Sequence, residues 1–98
     1  MMNRSIAEIS EIVSPIAEKY GVERVYLFGS RARGDNAEDS DYDFIIEPGS
    51  IHNIMELFAF MNDLEDALGN SVDIIEERII TEKGFLNAMN RDKVLIHG

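Results

Sequence analysis

Residues 29–43 carry the residue types that phosphate and metal chemistry require. A Gly-Ser pair, Gly29 and Ser30, is separated by ten residues from an Asp-x-Asp pair, Asp41 and Asp43. A Gly-Ser turn can offer backbone N–H groups and a hydroxyl to a phosphate. Two carboxylates at i and i+2 on a strand point to the same face and can share metal ions. The spacing therefore predicts phosphoryl or nucleotidyl transfer assisted by a metal ion.

Both pairs stand at the ends of apolar runs that are predicted to be strands. Residues 23–28 end at the Gly-Ser turn, and residues 42–47 begin within the Asp-x-Asp pair. The continuous apolar centre of the second run favours burial on both faces. For Ser30 and Asp41 to touch one nucleotide, the two strands must be antiparallel neighbours. The remaining pattern adds a third strand over 71–76, which carries Asp73, and an edge strand over 93–96.

Helical patterns precede, separate and follow these strands. A Ser-x-x-Glu capping box at Ser5 starts a helix that ends at Gly21, with Pro15 as a kink or short break. Ser30 is predicted to cap a short helical turn over 31–33, and Thr81 a last helix that ends near Asn90. The clearest helix covers 53–68, and its apolar stripe consists of Ile54, Leu57, Phe58, Met61, Leu64 and Leu68.

Met55 and Phe60 lie beside this stripe, and two interpretations of them remain open. They either pack on the sheet or form a surface for a partner protein. The element order predicts an α+β fold, a small mixed sheet flanked by helices, in a single domain over residues 1–98.

The chain resembles the DNA polymerase beta superfamily of nucleotidyltransferases, whose signature is Gly-Ser, ten residues and Asp-x-Asp. The wording of residues 28–34, Phe-Gly-Ser-Arg-Ala-Arg-Gly, and of residues 40–43, Ser-Asp-Tyr-Asp, is most similar to the minimal nucleotidyltransferases. These are typically antitoxins paired with HEPN-domain toxins. The resemblance covers about Ile6 to Ile96 and implies a polymerase-beta-type nucleotidyltransferase fold.

The resemblance also implies roles for individual residues. Gly29 and Ser30 would bind the phosphates of ATP, and Asp41 and Asp43 would hold two Mg²⁺ ions, for which Mn²⁺ can substitute. A third carboxylate completes the family's site. Asp73 is the best candidate because a charge between apolar strand residues is costly without a partner or metal.

The two arginines of the turn are weighed separately. Arg33 is favoured for a phosphate role, while Arg31 or Arg33 could instead pair with the acids of the following loop, Asp35, Glu38 and Asp39. The acceptor implied by the resemblance is a hydroxyl, namely that of a tyrosine on a cognate HEPN toxin. Adenylylation of this tyrosine would silence the toxin. Rival interpretations are a binding antitoxin that acts by occlusion and an aminoglycoside-type nucleotidyltransferase.

Composition narrows the other functional classes. The formal net charge of −10 argues against direct nucleic-acid binding but leaves a nucleotide substrate open. The absence of cysteine excludes disulfides and thiolate-bound zinc. No apolar run approaches the roughly 18–20 residues that span a bilayer. A cytoplasmic location is the corresponding expectation.

Overall fold

A computed structural model describes residues 4–34, 36–37, 40–47, 51, 53–76 and 93–98. The predicted helix between Thr81 and Asn90 lies outside these residues. Within them, the chain forms three helices and four strands in the order helix, strand, helix, strand, helix, strand, strand. The helices are α1 (Ile6–Tyr20), α2 (Ser30–Arg33) and α3 (Ile54–Leu68). The strands are β1 (Arg24–Phe28), β2 (Tyr42–Glu47), β3 (Val72–Glu76) and β4 (Val94–His97).

The strands form one mixed sheet in the order β3-β2-β1-β4. β1 pairs antiparallel with both β2 and β4, whereas β2 pairs parallel with β3. The predicted antiparallel pairing of the first two strands is therefore confirmed, as is the mixed sheet. This pairing places the end of β1 beside the start of β2, because Phe28 lies opposite Asp43.

The hydrophobic core lies between one face of the sheet and the helices α1 and α3. The helices contribute apolar residues that are three or four positions apart, and the strands contribute every second residue. The buried core members include Ile9, Val13, Ala17, Val25, Leu27, Tyr42, Phe44, Ile46, Phe60, Leu64, Leu68 and Val72. The opposite face of the sheet carries Asp43 and Asp73 at neighbouring register positions, so the long helices and the acidic pair occupy different sides.

The first helix is continuous through Pro15, so the predicted short break is wrong, while a kink at Pro15 stays a prediction. Pro15 is on the exposed side, where water can satisfy the carbonyl that loses its helical donor. The capping box is present, because the Ser5 side chain accepts from the Glu8 N–H and Glu8 accepts from the Ser5 N–H. Gly21 ends the helix in the left-handed conformation, as expected.

The buried stripe of α3 is rotated from the predicted one. Phe60, which was expected beside the stripe, is completely buried and meets the ring of Tyr20 edge to face at 5.6 Å. Ile54 and Phe58, which were expected inside the stripe, are exposed, as is Met55. Phe60 therefore packs in the core, and a partner surface that includes it is wrong. The physical reason is that apolar residues cover more than one side of α3, and only the packing against α1 and the sheet selects the buried side.

Candidate active site

Gly29 makes the sharp turn between β1 and α2 and lies against the carboxylate of Asp43. Its φ of 78° is in the region that favours glycine, and a Cβ added there would lie 2.5 Å from the Asp43 Oδ2 atom. A side chain at position 29 would therefore displace the carboxylate. The chain thus needs glycine here for two reasons: the turn itself and the close approach of the Asp43 side chain.

Ser30 follows as the first residue of α2 and is half-buried. The N-cap of this short helix is Gly29, whose carbonyl accepts from the N–H groups of Ala32 and Arg33 at 3.1 Å. The predicted role of Ser30 as the cap is therefore wrong, since the turn needs a positive φ at the cap position and Gly29 provides it. Gly34 closes the helix, and its N–H donates to the Ser30 carbonyl at 2.9 Å.

Asp43 and Asp73 stand side by side on adjacent parallel strands. Asp43 is half-buried and Asp73 is exposed, so the pair opens to solvent at one side. Burial raises the pKa of the Asp43 carboxyl, and the negative charges of Asp73 and Asp41 raise it further. The structure thus places these two predicted site residues at partnered positions on neighbouring strands.

Asp41 is exposed just before β2 begins. Its charge acts on Asp43, so the three predicted carboxylates share one region of the molecule. Within the described part of the chain, no group of three or more His, Cys, Asp or Glu side chains is arranged to hold a metal ion. Asp43 and Asp73 therefore form the pair on adjacent strands, and Asp41 lies two residues before Asp43 with its side chain exposed.

The chemistry of these groups fits a hard divalent cation. All the donors are carboxylate oxygens, which Mg²⁺ and Mn²⁺ prefer over sulfur or nitrogen ligands. The mutual repulsion that raises the pKa of Asp43 is the effect that a cation between the carboxylates reverses. The exposed position of Asp41 allows it to serve as a further ligand without disturbing the packed strands.

The two arginines of α2 have different surroundings. Arg33 is exposed, and its charge lowers the pKa of Asp43, against the larger effects that raise it. Arg31 is buried, and its guanidinium donates from Nε at 3.0 Å and from Nη2 at 2.7 Å to the Ser40 carbonyl. The inward orientation of Arg31 was missed from sequence, because the charge pattern alone does not show which arginine of a short helix faces the protein.

Tyr42 lies between Asp41 and Asp43 in the chain and faces the other side of the sheet from Asp43. It is buried in the core and stacks on Phe44 with nearly parallel rings, 6.0 Å between centroids. The Arg31 guanidinium carbon lies 3.9 Å from the centre of the Tyr42 ring. Alternation along β2 thus sends the carboxylate of Asp43 to one face and the aromatic ring of Tyr42 to the other.

Comparisons of sequence and of structure both relate this chain to known nucleotidyltransferases. The sequence model of the family described as "Polymerase beta, Nucleotidyltransferase" matches residues 11–98. A relative from Methanocaldococcus jannaschii, named "Putative protein adenylyltransferase", is 38% identical over 71 residues, which is 72% of this chain and 76% of that protein.

Solved structures share the same fold. One described as "putative minimal nucleotidyltransferase" is 30% identical, with a TM-score of 0.74 over 87% of this chain and 86% of that chain. A second is described as a tri-AMPylated Shewanella oneidensis HEPN toxin in complex with MNT antitoxin. It matches 96% of this chain and 73% of that chain with a TM-score of 0.70, and its 14% identity supports the fold alone.

Proposed function

Because the chain belongs to the polymerase beta nucleotidyltransferase family, we propose that it transfers AMP from ATP to a tyrosine hydroxyl of a HEPN-domain toxin. The observation that carries this proposal is the position of Asp43, held between the glycine of the Gly-Ser turn and Asp73. This arrangement joins the predicted phosphate-binding turn to the predicted metal ligands at one end of two strands.

The proposed nucleotide position follows from the residues around Asp43. Ser30 would donate its hydroxyl to the triphosphate, and Gly29 would let the phosphates approach the backbone closely. Arg33, exposed beside the acidic pair, would pair its guanidinium with the outer phosphates. Asp41, Asp43 and Asp73 would hold Mg²⁺, which supplies Lewis-acid polarisation and charge neutralisation at the phosphates.

The chemical step would require one proton acceptor. The acceptor hydroxyl oxygen forms a bond to the α-phosphorus, the bond from that phosphorus to the β-phosphate oxygen breaks, and pyrophosphate leaves. Asp73 is the proposed base that takes the hydroxyl proton, because it is exposed and adjoins Asp43. A carboxylate at this position would also orient the incoming hydroxyl in line with the leaving group.

A partner protein is supported by the surface of α3, which lies across the sheet from the acidic pair. Ile54, Met55 and Phe58 are 63%, 75% and 48% exposed at the start of this helix. Exposed apolar groups that cluster within one helical turn are typical of surfaces covered by another protein. The AMPylated HEPN toxin seen with an antitoxin of the same fold suggests the class of partner.

The test is transfer of labelled AMP from ATP to a purified HEPN-domain toxin, with and without Mg²⁺. We expect label on the toxin with the wild type and none with Asp43→Asn or Asp41→Asn. Asp66→Asn is the matched control, because Asp66 is an exposed acid on α3, across the sheet from the site. Equal labelling by wild type and Asp43→Asn would reject the proposed site.

Measuring toxin activity with the same variants, with and without ATP, separates transfer from occlusion. Occlusion is the rival function that the exposed apolar surface of α3 favours. A purely occluding antitoxin would neutralise the toxin without ATP, and the Asp43→Asn variant would neutralise it as well as the wild type does. We expect instead that protection requires ATP and is lost in the Asp43→Asn variant, while binding of the two proteins persists.

A further inference from the structure

Arg31 is the one charged side chain among the described residues that is buried, with 8% of its surface exposed. Burying a guanidinium is costly unless its donors and its flat face find partners. Its flat face covers the Tyr42 ring at 3.9 Å, and its Nε and Nη2 atoms both donate to one oxygen. The fold therefore spends considerable desolvation free energy to place a cation at this point.

The oxygen that Arg31 binds is the carbonyl of Ser40, the residue directly before Asp41. Asn70, from the turn after α3, donates its Nδ2 to the same oxygen at 3.2 Å. Three N–H groups from two separate elements thus converge on a single backbone carbonyl. The next residue in the chain is Asp41, whose carboxylate is exposed.

A second set of contacts fixes the same short segment from the loop side. The Ser40 hydroxyl accepts from the Ala37 N–H at 2.9 Å, and the Ser40 N–H donates to the Ala37 carbonyl at 3.2 Å. The Tyr42 N–H donates to the Ser71 carbonyl at 2.9 Å. Residues 40 and 42 are therefore held on both sides of Asp41, whose own side chain remains in solvent.

We infer that Arg31 is a positioning residue that fixes Asp41 as a metal ligand by clamping the Ser40 carbonyl against α2. Because α2 also contains Ser30, the clamp ties the proposed phosphate-binding turn to the start of the Asp-x-Asp segment. The inference rests on the proposed function of this site. It assigns to Arg31 a geometric role in metal binding, distinct from the phosphate contact proposed for Arg33.

The alternative is that Arg31 acts only by its charge, as a permanent counterion to the acidic cluster. The two hydrogen bonds to the neutral Ser40 carbonyl argue for a geometric role, and so does the ring contact, which fixes the plane of the guanidinium. Lysine keeps the charge but has neither the flat face nor the fork of N–H donors. Arg31→Lys therefore separates the two roles.

The experiment measures Mn²⁺ binding by electron paramagnetic resonance on the full chain, without nucleotide, so that it does not depend on transfer. Loss of a residue that orients a metal ligand typically weakens metal affinity about 10- to 100-fold. We expect Arg31→Met and Arg31→Lys both to weaken Mn²⁺ binding by at least about tenfold. Lys19→Met is the matched control, because it removes a positive charge from the helical layer at an exposed ion pair with Asp63.

Circular dichroism establishes that each variant is folded at the assay temperature. Asn70→Ala provides an independent reading, because it removes the third donor to Ser40 and leaves the buried cation in place. We expect it to weaken Mn²⁺ binding in the same direction by a smaller factor, and this variant decides the matter if the Arg31 variants do not fold.

The outcomes are distinct. Wild-type affinity in folded Arg31→Met, or in Asn70→Ala where the Arg31 variants do not fold, would overturn the inference. Weak binding in Arg31→Met with normal binding in Arg31→Lys would show a role of charge and overturn positioning. Absence of Mn²⁺ binding by the wild type would overturn the proposed metal site itself, and the inference with it.

Discussion

Replacing Gly29 with alanine tests whether the Gly-Ser turn and the Asp43 carboxylate depend on each other. The added Cβ would lie 2.5 Å from Asp43 Oδ2 and 3.4 Å from its carboxyl carbon. The carboxylate would have to move by about 1 Å to restore an ordinary contact near 3.5 Å. Since Asp43 is a short side chain, it can rotate away, but it then leaves its position beside Asp73.

The cost in stability comes mainly from the backbone. With φ 78° and ψ −154°, Gly29 occupies a region that is almost restricted to glycine, and a side chain there costs roughly 1–3 kcal/mol. For a domain of this size, about 1 kcal/mol corresponds to a fall of roughly 4–8 °C in the unfolding midpoint. We therefore expect Gly29→Ala to unfold about 4–24 °C below the wild type.

Gly34→Ala is the matched control for this substitution. Its φ of 83° is also positive, but an added Cβ would meet nothing within 4 Å. The strain of this left-handed position, roughly 1–2 kcal/mol, should lower the midpoint without displacing a carboxylate. Both variants are measured by thermal unfolding, by Mn²⁺ titration and by AMP transfer at a temperature where both are folded.

We expect Gly29→Ala to lose transfer and metal binding, and Gly34→Ala to keep most of both. Equal loss in the two variants would refute the reasoning, because it would trace the effect to backbone strain and not to the contact with Asp43. Full activity in Gly29→Ala would refute it more directly, since the carboxylate would then be able to work from a displaced position.

Three further perturbations follow from the contacts of single side chains. Asp73→Asn should lower kcat more than it raises the KM for ATP, since its proposed role is in the chemical step, and steady-state kinetics measures both. The Tyr20 hydroxyl, first, and then the Lys19 ammonium lower the pKa of Asp63, so that carboxylate stabilises the fold above about pH 4 and loses this effect as the pH falls through its lowered pKa. Tyr20→Phe should therefore unfold at a lower temperature than the wild type at pH 7, and the gap should narrow in melting curves recorded towards pH 2.5. Phe60→Ala should cost about 3–5 kcal/mol in urea unfolding because the ring is completely buried, whereas Met55→Ala should stay within about 0.5 kcal/mol.

The sequence was sufficient to predict the parts of the fold that depend on local patterns. Residues 42–47 form a strand with the predicted bounds, and the residues at its centre are buried on both faces. The capping box at Ser5 and the stops at Gly21 and Gly69 were also predictable, because each requires only neighbouring residues. The antiparallel pairing of β1 and β2 could be predicted because the Gly-Ser and Asp-x-Asp motifs must both reach one ligand.

The features that sequence reasoning missed depend on contacts between distant residues. The buried side of α3 is selected by α1, as the Tyr20–Phe60 ring contact illustrates. The inward orientation of Arg31 is set by Tyr42 and Ser40, and no local rule distinguishes it from Arg33. The carboxylates of Asp41, Asp43 and Asp73 were identified from spacing and resemblance, and their roles as ligands remain predictions.

Because of the strand order, Asp43 and Asp73 lie on strands that differ in how readily they unfold locally. β2 lies inside the sheet between β1 and β3, whereas β3 is the outermost strand on its side of the described sheet. Amide hydrogens of interior strands exchange most slowly with solvent, while outer strands open at a lower free energy. Detachment of β3 would carry Asp73 away from Asp43 and leave the contact between Gly29 and Asp43 in place. The protein could thus lose one carboxylate from its site reversibly without global unfolding, and a ligand that bridges Asp43 and Asp73 would slow exchange most strongly along β3.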